Sequence, residues 1–308
     1  MSLIGIYLRG LAMGAADVVP GVSGGTIAFI TGIYQTLLAS IKSVNPSNIK
    51  LIYQQGFKAF WQAVNGNFLL ALLLGIVTSI LSLARVISYL LEQHPLLIWS
   101  FFFGLIVASA LHVGKQIKHW RWSYVLILMV GVVLAVAITE LKPSELSVSP
   151  WVVFAAGSIA ICAMILPGVS GSFLLVLMGL YGPILTAVKE LNLVIIACFA
   201  AGCGVGLLSF AHLLSWLLAR FYYATMSLLT GFLLGSLNLV WPWKQTLSTY
   251  TNSKGKELAL EQVNRWPTDY ALLTQQSAQT LSCITMAVLG VVLVLALELV
   301  SSKNTKAS

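Results

Sequence analysis

The chain has 308 residues, of which 58% are hydrophobic and 8% charged, against about a quarter charged in an average soluble chain. Its mean hydropathy is +0.93, and several uncharged apolar runs reach about 20 residues, enough to cross roughly 30 Å of hydrocarbon as helix; a water-soluble fold is excluded, and so is a transmembrane barrel, whose strands alternate apolar and polar residues. The 17 Lys and Arg against 9 Asp and Glu give a formal net charge of +8, but these cations are spread along connections, where they report orientation and contact with anionic lipid rather than with nucleic acid.

The expected fold is therefore an all-α polytopic membrane protein. Ten apolar segments follow one another at 3–16, 24–41, 67–91, 96–113, 122–140, 151–166, 170–188, 192–218, 224–243 and 277–300. The first lacks a basic flank and a cleavage site and is expected to remain in the mature protein. Segments three and eight have ample length, whereas the first, second, sixth and seventh are short and come in pairs broken by Pro and Gly. A run such as Thr26 to Ile41 rises only roughly 24 Å as helix, so each broken pair reads as a re-entrant hairpin.

An internal repeat organises these segments. The pentapeptide PGVSG occurs at Pro20 to Gly24 and again at Pro167 to Gly171, and at the same offset Gly32 matches Gly179, Tyr34 matches Tyr181 and Lys42 matches Lys189. A second block pairs Gly75 with Gly202, Ala84 with Ala211, Ser100 with Ser227, Gly104 with Gly231 and Ser109 with Ser236. A third pairs GVVL at 131–134 with GVVL at 290–293. The offsets differ by a polar, amphipathic insert at about 45–66. The chain thus reads as a first repeat at 1–141, a connector at 142–150 and a second repeat at 151–308, within one integral membrane unit. Each five-segment half makes an odd number of net crossings, so the second enters from the opposite face and the repeats are inverted. Cation counting places both termini on the cytoplasmic side, with Arg9, Lys42, Lys50, Lys58, Lys115, Lys118, Arg121, Arg220, Lys303 and Lys306 inside.

The chemistry is expected at the two motifs. Proline cannot continue a helix ladder and glycine permits tight turns, so each motif breaks its hairpin and starts a half-helix near Ser23 or Ser170. Unpaired amides, a hydroxyl and the positive end of a helix dipole converge there, an arrangement that suits an anion such as phosphate. Irregular backbone at membrane depth is tolerated only against protein or a watery cavity, so the two loops are expected to meet near the midplane. The plainer reading of either motif alone is a kink with a capping serine; the duplication favours a site. Arg85, the one basic residue within 68–91, reads either as a phosphate-gripping fork or as a side chain snorkelling to the interface. His212, at the aligned position of the second half, is a second donor, a proton-linked group or a histidine bonded between helices. Asp17, just before the first motif, is a coupling site, a partner for Arg85 or an N-cap.

Catalysis and metal binding find no support. His94, His112, His119 and His212 are scattered, Cys162, Cys198, Cys203 and Cys283 lie in apolar stretches without CxxC spacing, and no GxSxG or HExxH occurs; no cofactor, metal or nucleic acid is expected. The residues alone thus point to a transporter that holds an anion such as phosphate at these helix N-termini; a small-anion transporter or channel would use the same groups, and a phosphatase lacks a visible nucleophile.

The stretch from Met13 to Tyr34, MGAADVVPGVSGGTIAFITGIY, resembles the N-terminal signature of the bacterial polyprenyl-phosphate (undecaprenyl-phosphate) translocases, the PopT-like family formerly known as a domain of unknown function; LPGVSGS at 166–172 resembles its second motif. The resemblance spans nearly the whole chain. It implies a non-enzymatic flippase of the cytoplasmic (inner) membrane that returns undecaprenyl phosphate, the C55 lipid carrier of envelope synthesis, from the outer to the inner leaflet. Carried over residue by residue, it marks Pro20, Gly21, Val22, Ser23, Gly24, Gly25 and Thr26, with Pro167, Gly168, Val169, Ser170, Gly171 and Ser172, as the head-group site. Arg85 is not part of that assignment.

Overall fold

The structure, a computed structural model, describes residues 2–19, 22–141, 146–251 and 257–306. Helices α1 (Leu3–Asp17), α2 (Gly24–Ile30), α3 (Tyr34–Lys42), α4 (Pro46–Gln55), α5 (Phe57–Ala63), α6 (Gly66–Gln93), α7 (Pro95–Gly114) and α8 (Trp122–Glu140) make up the first part. After them come α9 (Pro150–Ile165), α10 (Gly171–Leu177), α11 (Tyr181–Lys189), α12 (Leu193–Arg220) and α13 (Tyr222–Ser236). Strands β1 (Lys244–Thr251) and β2 (Glu257–Asn264), α14 (Pro267–Thr274) and α15 (Thr280–Lys306) close the chain. Local chemistry sets many of these starts. Ser2, Ser149 and Asn192 accept from backbone amides at the heads of α1, α9 and α12, and Pro95, Pro150 and Pro267 stand in first turns, where a missing N–H costs nothing.

Helices α6, α7, α8, α12 and α15 are each long and apolar enough to cross a membrane, which makes the chain a multi-pass membrane protein. The second and seventh expected segments are not continuous. Helix α2 meets α3 at 116° and α10 meets α11 at 104°. Both bends are Schellman caps: Gly32 (φ +71°) and Gly179 (φ +68°) take the left-handed conformation, while Ile33 N–H donates to the Ala28 carbonyl and Leu180 N–H to the Leu175 carbonyl. Each apolar run is therefore interrupted twice, once at the motif serine and once at the glycine nine residues later. The ninth segment is also shorter than expected, with α13 ending at Ser236.

Small residues set the helix pairs. Gly10 lies against Leu72 and Gly75, and Gly14 against Ile76 and Ser79; the numbers climb together, so α1 and α6 run in the same sense. Gly157 on Phe199 and Cys203, with Gly206 on Ser158, pairs α9 with α12 in the same way. Two further parallel pairs link the parts: Gly131 with Gly231 and Gly235 with Ala135 join α8 to α13, while Leu96 with Cys283, Gly104 with Ala287 and His112 with Glu298 join α7 to α15. A Cβ at Gly10, Gly75, Gly104, Gly202 or Gly231 would strike a neighbouring backbone, as expected where packing rather than water exclusion holds helices together in lipid. Every residue of α2 is buried, and α7 is the most enclosed of the five long helices.

The connection at 244–276, between the ninth and tenth apolar segments, contains the described departure from an all-helical chain. β1 and β2 pair antiparallel, Lys244 opposite Asn264 and Thr251 opposite Glu257, in stretches where Thr, Tyr and Val favour a pleated strand. Their base is fixed by Trp241 Nε1 donating to the Arg265 carbonyl and Trp243 Nε1 to the Ala278 carbonyl, each at 2.8 Å. Buried Leu96, Trp243, Tyr270 and Cys283 form a small core beneath it.

Candidate functional site

Residues Pro20 and Gly21 of the first motif lie outside the described residues; the rest of both motifs is ordered around two caps. Ser23 Oγ accepts from Gly25 N–H at 3.1 Å at the head of α2. Ser170 Oγ accepts from Phe173 N–H at 3.4 Å at the head of α10 and pairs with Ser172 Oγ at 3.0 Å. The half-helices thus begin where the serines were expected to start them.

The structure brings the two motifs together. Ser23 Oγ donates to the Met164 carbonyl at 2.7 Å, Tyr34 OH donates to the Ile165 carbonyl at 3.1 Å, and Gly168 N–H donates to Thr26 Oγ1 at 3.2 Å. Gly25 packs on the Ile165 carbonyl so closely that a Cβ would collide with it. Gly168, with φ +82°, turns the second motif against the Phe232 carbonyl of α13. The joint is dry: Ser23 and Thr26 are each 1% exposed and Ser170 6%, and Val22, Gly24, Pro167, Val169 and Gly171 are buried beside them. Bonds of this kind in a low-dielectric interior are costly to leave unmade, so the two loops form a specific lock.

Asp17 stands inside this lock. Its Oδ1 accepts from Gly24 N–H at 2.7 Å, and its carboxyl covers Gly24 so closely that no Cβ fits there. Of its three expected roles it fills the capping one, and the leading amide of α2 already faces an oxygen of the chain's own carboxyl. Arg85 sits on the exposed side of α6, on a face shared with exposed Leu81 and Tyr89, and makes no hydrogen bond or ion pair among the described residues. His212 is exposed on α12, its Nδ1 at 2.8 Å from the Leu208 carbonyl one turn back. Neither is joined to the motif pair.

Sequence reasoning did not place Tyr34, the Met164 and Ile165 carbonyls or His112. Tyr34 recurred in the repeat, but nothing in one dimension aimed its hydroxyl at Ile165. The Met164 and Ile165 carbonyls are backbone groups that any residue supplies. His112 Nδ1 lies 3.2 Å from Glu298 Oε1 and ties α7 to α15, a pairing between residues far apart in the chain. Among the described residues no three His, Cys, Asp or Glu side chains gather around a metal-sized space. What the motif pair presents is hydroxyls and amides, the kind of hydrogen-bond donor that an anion's oxygens accept from.

Comparison with known proteins identifies the family. A family model described as VCA0040-like, undecaprenyl phosphate translocase-like, matches residues 13–258. A polyprenyl-phosphate transporter of Vibrio cholerae serotype O1 is 52% identical over 303 residues, 98% of each chain. A polyprenyl-phosphate transporter of Staphylococcus aureus is 32% identical over 254 residues, 76% of this chain and 85% of its own. No solved structure matches. With a match that takes in both motifs and most of the helices between and around them, the chain belongs to the undecaprenyl phosphate translocase-like family.

Proposed function

We propose that this protein carries undecaprenyl phosphate from the outer to the inner leaflet of the cytoplasmic membrane, holding the phosphate head between the two serine motifs while the isoprenoid tail stays in lipid. The observation that carries the proposal is the cross-motif lock, in which Ser23, Tyr34 and Thr26 of the first part bond to Met164, Ile165 and Gly168 of the second. The names of the relatives supply the cargo. A bare phosphate in hydrocarbon is prohibitively unstable without compensating donors. In the closed state these donors satisfy one another. Opening the joint frees the Ser23 and Thr26 hydroxyls and the Gly168 amide toward the head group, beside the Ser170 hydroxyl, and the head group then replaces the Asp17 carboxyl at the Gly24 amide.

The rest of the reading follows from the pairs of helices. The halves 1–141 and 151–308 are inverted repeats joined by 142–150: α1 with α6 corresponds to α9 with α12, and α7 with α15 corresponds to α13 with α8, each pair parallel. The bent pairs α2–α3 and α10–α11 are re-entrant hairpins from opposite faces, and rocking of the halves about the motif joint alternates access. Both termini face the cytoplasm, as the cations of the short connections favour.

Leaflet-resolved detection of undecaprenyl phosphate in cells lacking the protein tests this. Accumulation on the outer surface, reversed by the wild-type chain, is the expected result. An unchanged lipid distribution together with altered phosphate or chloride flux contradicts it in favour of a small-anion transporter.

A further inference from the structure

Helices α4 and α5 bury none of their residues, yet they are far from plain polar surface. Tyr53 is 88% exposed, Phe57 60% and Ile49 41%. Ile49 and Tyr53 share one face of α4, and Phe57, Phe60 and Trp61 share one face of α5, with ring centroids 6.2 Å apart for Phe57 and Phe60 and 5.5 Å for Phe57 and Trp61. The surrounding charge has one sign. No acid occurs between Asp17 and Glu92, while Lys42, Lys50 and Lys58 fall at the end of α3, on α4 and on α5.

This unit is held in place. Asn45 Oδ1 accepts from Asn48 N–H at 2.9 Å, and Asn48 Nδ2 donates to the Ser43 carbonyl at 2.7 Å. At the far end Trp61 Nε1 donates to Asn67 Oδ1 at 2.8 Å, its ring covers Gly66, and Asn65 Nδ2 donates to Ser40 Oγ at 3.3 Å. The insert therefore bridges the last turn of α3, outer limb of the bent pair that carries the first motif, to the first turn of α6. One end lies where the bent pair α2–α3 finishes and the other where α6, long and apolar enough to cross a membrane, starts, so α4 and α5 run along a membrane boundary. The second part has no counterpart: after Lys189 ends α11, only Glu190, Leu191 and Asn192 precede α12.

We propose that α4 and α5 form a lipid-docking surface that binds a leaflet rich in anionic phospholipid at the face where α6 begins, aromatic rings entering the headgroup boundary and Lys42, Lys50 and Lys58 meeting lipid phosphates. Exposed aromatic faces flanked only by cations match such a surface in both polarity and charge. The docking acts on one face of the molecule alone and steadies the α2–α3 limb from outside. It holds whatever cargo the motif joint carries.

Hydrogen exchange of the full-length protein in nanodiscs of phosphatidylcholine, with and without phosphatidylglycerol, tests the proposal. Amides of 47–63 are expected to exchange about fivefold more slowly, or better, with phosphatidylglycerol present, at ~1 kcal/mol for each lysine at the surface. Lys50→Glu with Lys58→Glu is expected to abolish that difference, and Tyr53→Ser with Phe57→Ser to remove protection in both lipids, while exchange of α7 and α13 stays unchanged. Equal protection in both lipids, or protection surviving the charge reversal, overturns the proposal.

Discussion

Ser23 joins two jobs in one hydroxyl, accepting from Gly25 N–H at the head of α2 and donating to the Met164 carbonyl across the joint. Alanine at Ser23 and Ser170 together removes both caps, each worth about 1 kcal/mol, and thermal unfolding is expected to shift only modestly while lipid transport falls steeply. Asp17 separates capping from charge: Asp17→Asn keeps an acceptor for Gly24 and should fold normally, whereas Asp17→Ala should lose about 1 kcal/mol, read as a lower melting temperature in detergent. Gly168→Ala forces a side chain into a positive-φ turn beneath Phe232 and should cost roughly 1–3 kcal/mol. Outside the spanning segments, burial over the Trp99 ring holds the Lys244 ammonium down to about 8, with its Nζ donating to the Leu239 carbonyl. The unfolded chain keeps its proton to about 10.5, so between about 8 and 10.5 it binds more protons than the folded one. Stability of the hairpin base should therefore rise with pH across that window and stay level below it; a Lys244→Met variant should lose this dependence.

At the scale of elements, most of what crosses the membrane was legible as apolar runs, because twenty apolar residues in lipid leave the backbone one solution. The serine caps were legible too, since Pro followed by Gly and Ser is a local signal. The Schellman bends were not read, although Gly32 and Gly179 recur at matched positions, because an isolated Gly within an apolar run signals packing as readily as a turn. β1 and β2 were missed because polar Thr- and Ser-rich strands resemble loop. Nor was the direction of packing visible: that α7 pairs with α15, and α8 with α13, depends on Gly104 facing Ala287 and Gly131 facing Gly231. Gly104→Leu should split α7 from α15 and abolish a stable monomeric fold in detergent, whereas Gly204→Leu, at a site with open space around it, should leave yield and melting temperature near wild type.

Across the whole molecule the two motifs behave as one buried joint contributed by both parts of the chain. Their meeting was expected from the repeat; that they satisfy each other was not, because hydrogen-bond partners between residues more than a hundred positions apart leave no local pattern. Transport on this account requires opening that joint so that the same serine hydroxyls can hold the head group. Reconstitution in liposomes with undecaprenyl phosphate, following its movement between leaflets, is the most direct measurement. The wild-type protein should move the lipid faster than protein-free liposomes, and the folded Ser23→Ala, Ser170→Ala variant should not exceed them. Wild-type rates from that double variant would contradict the account.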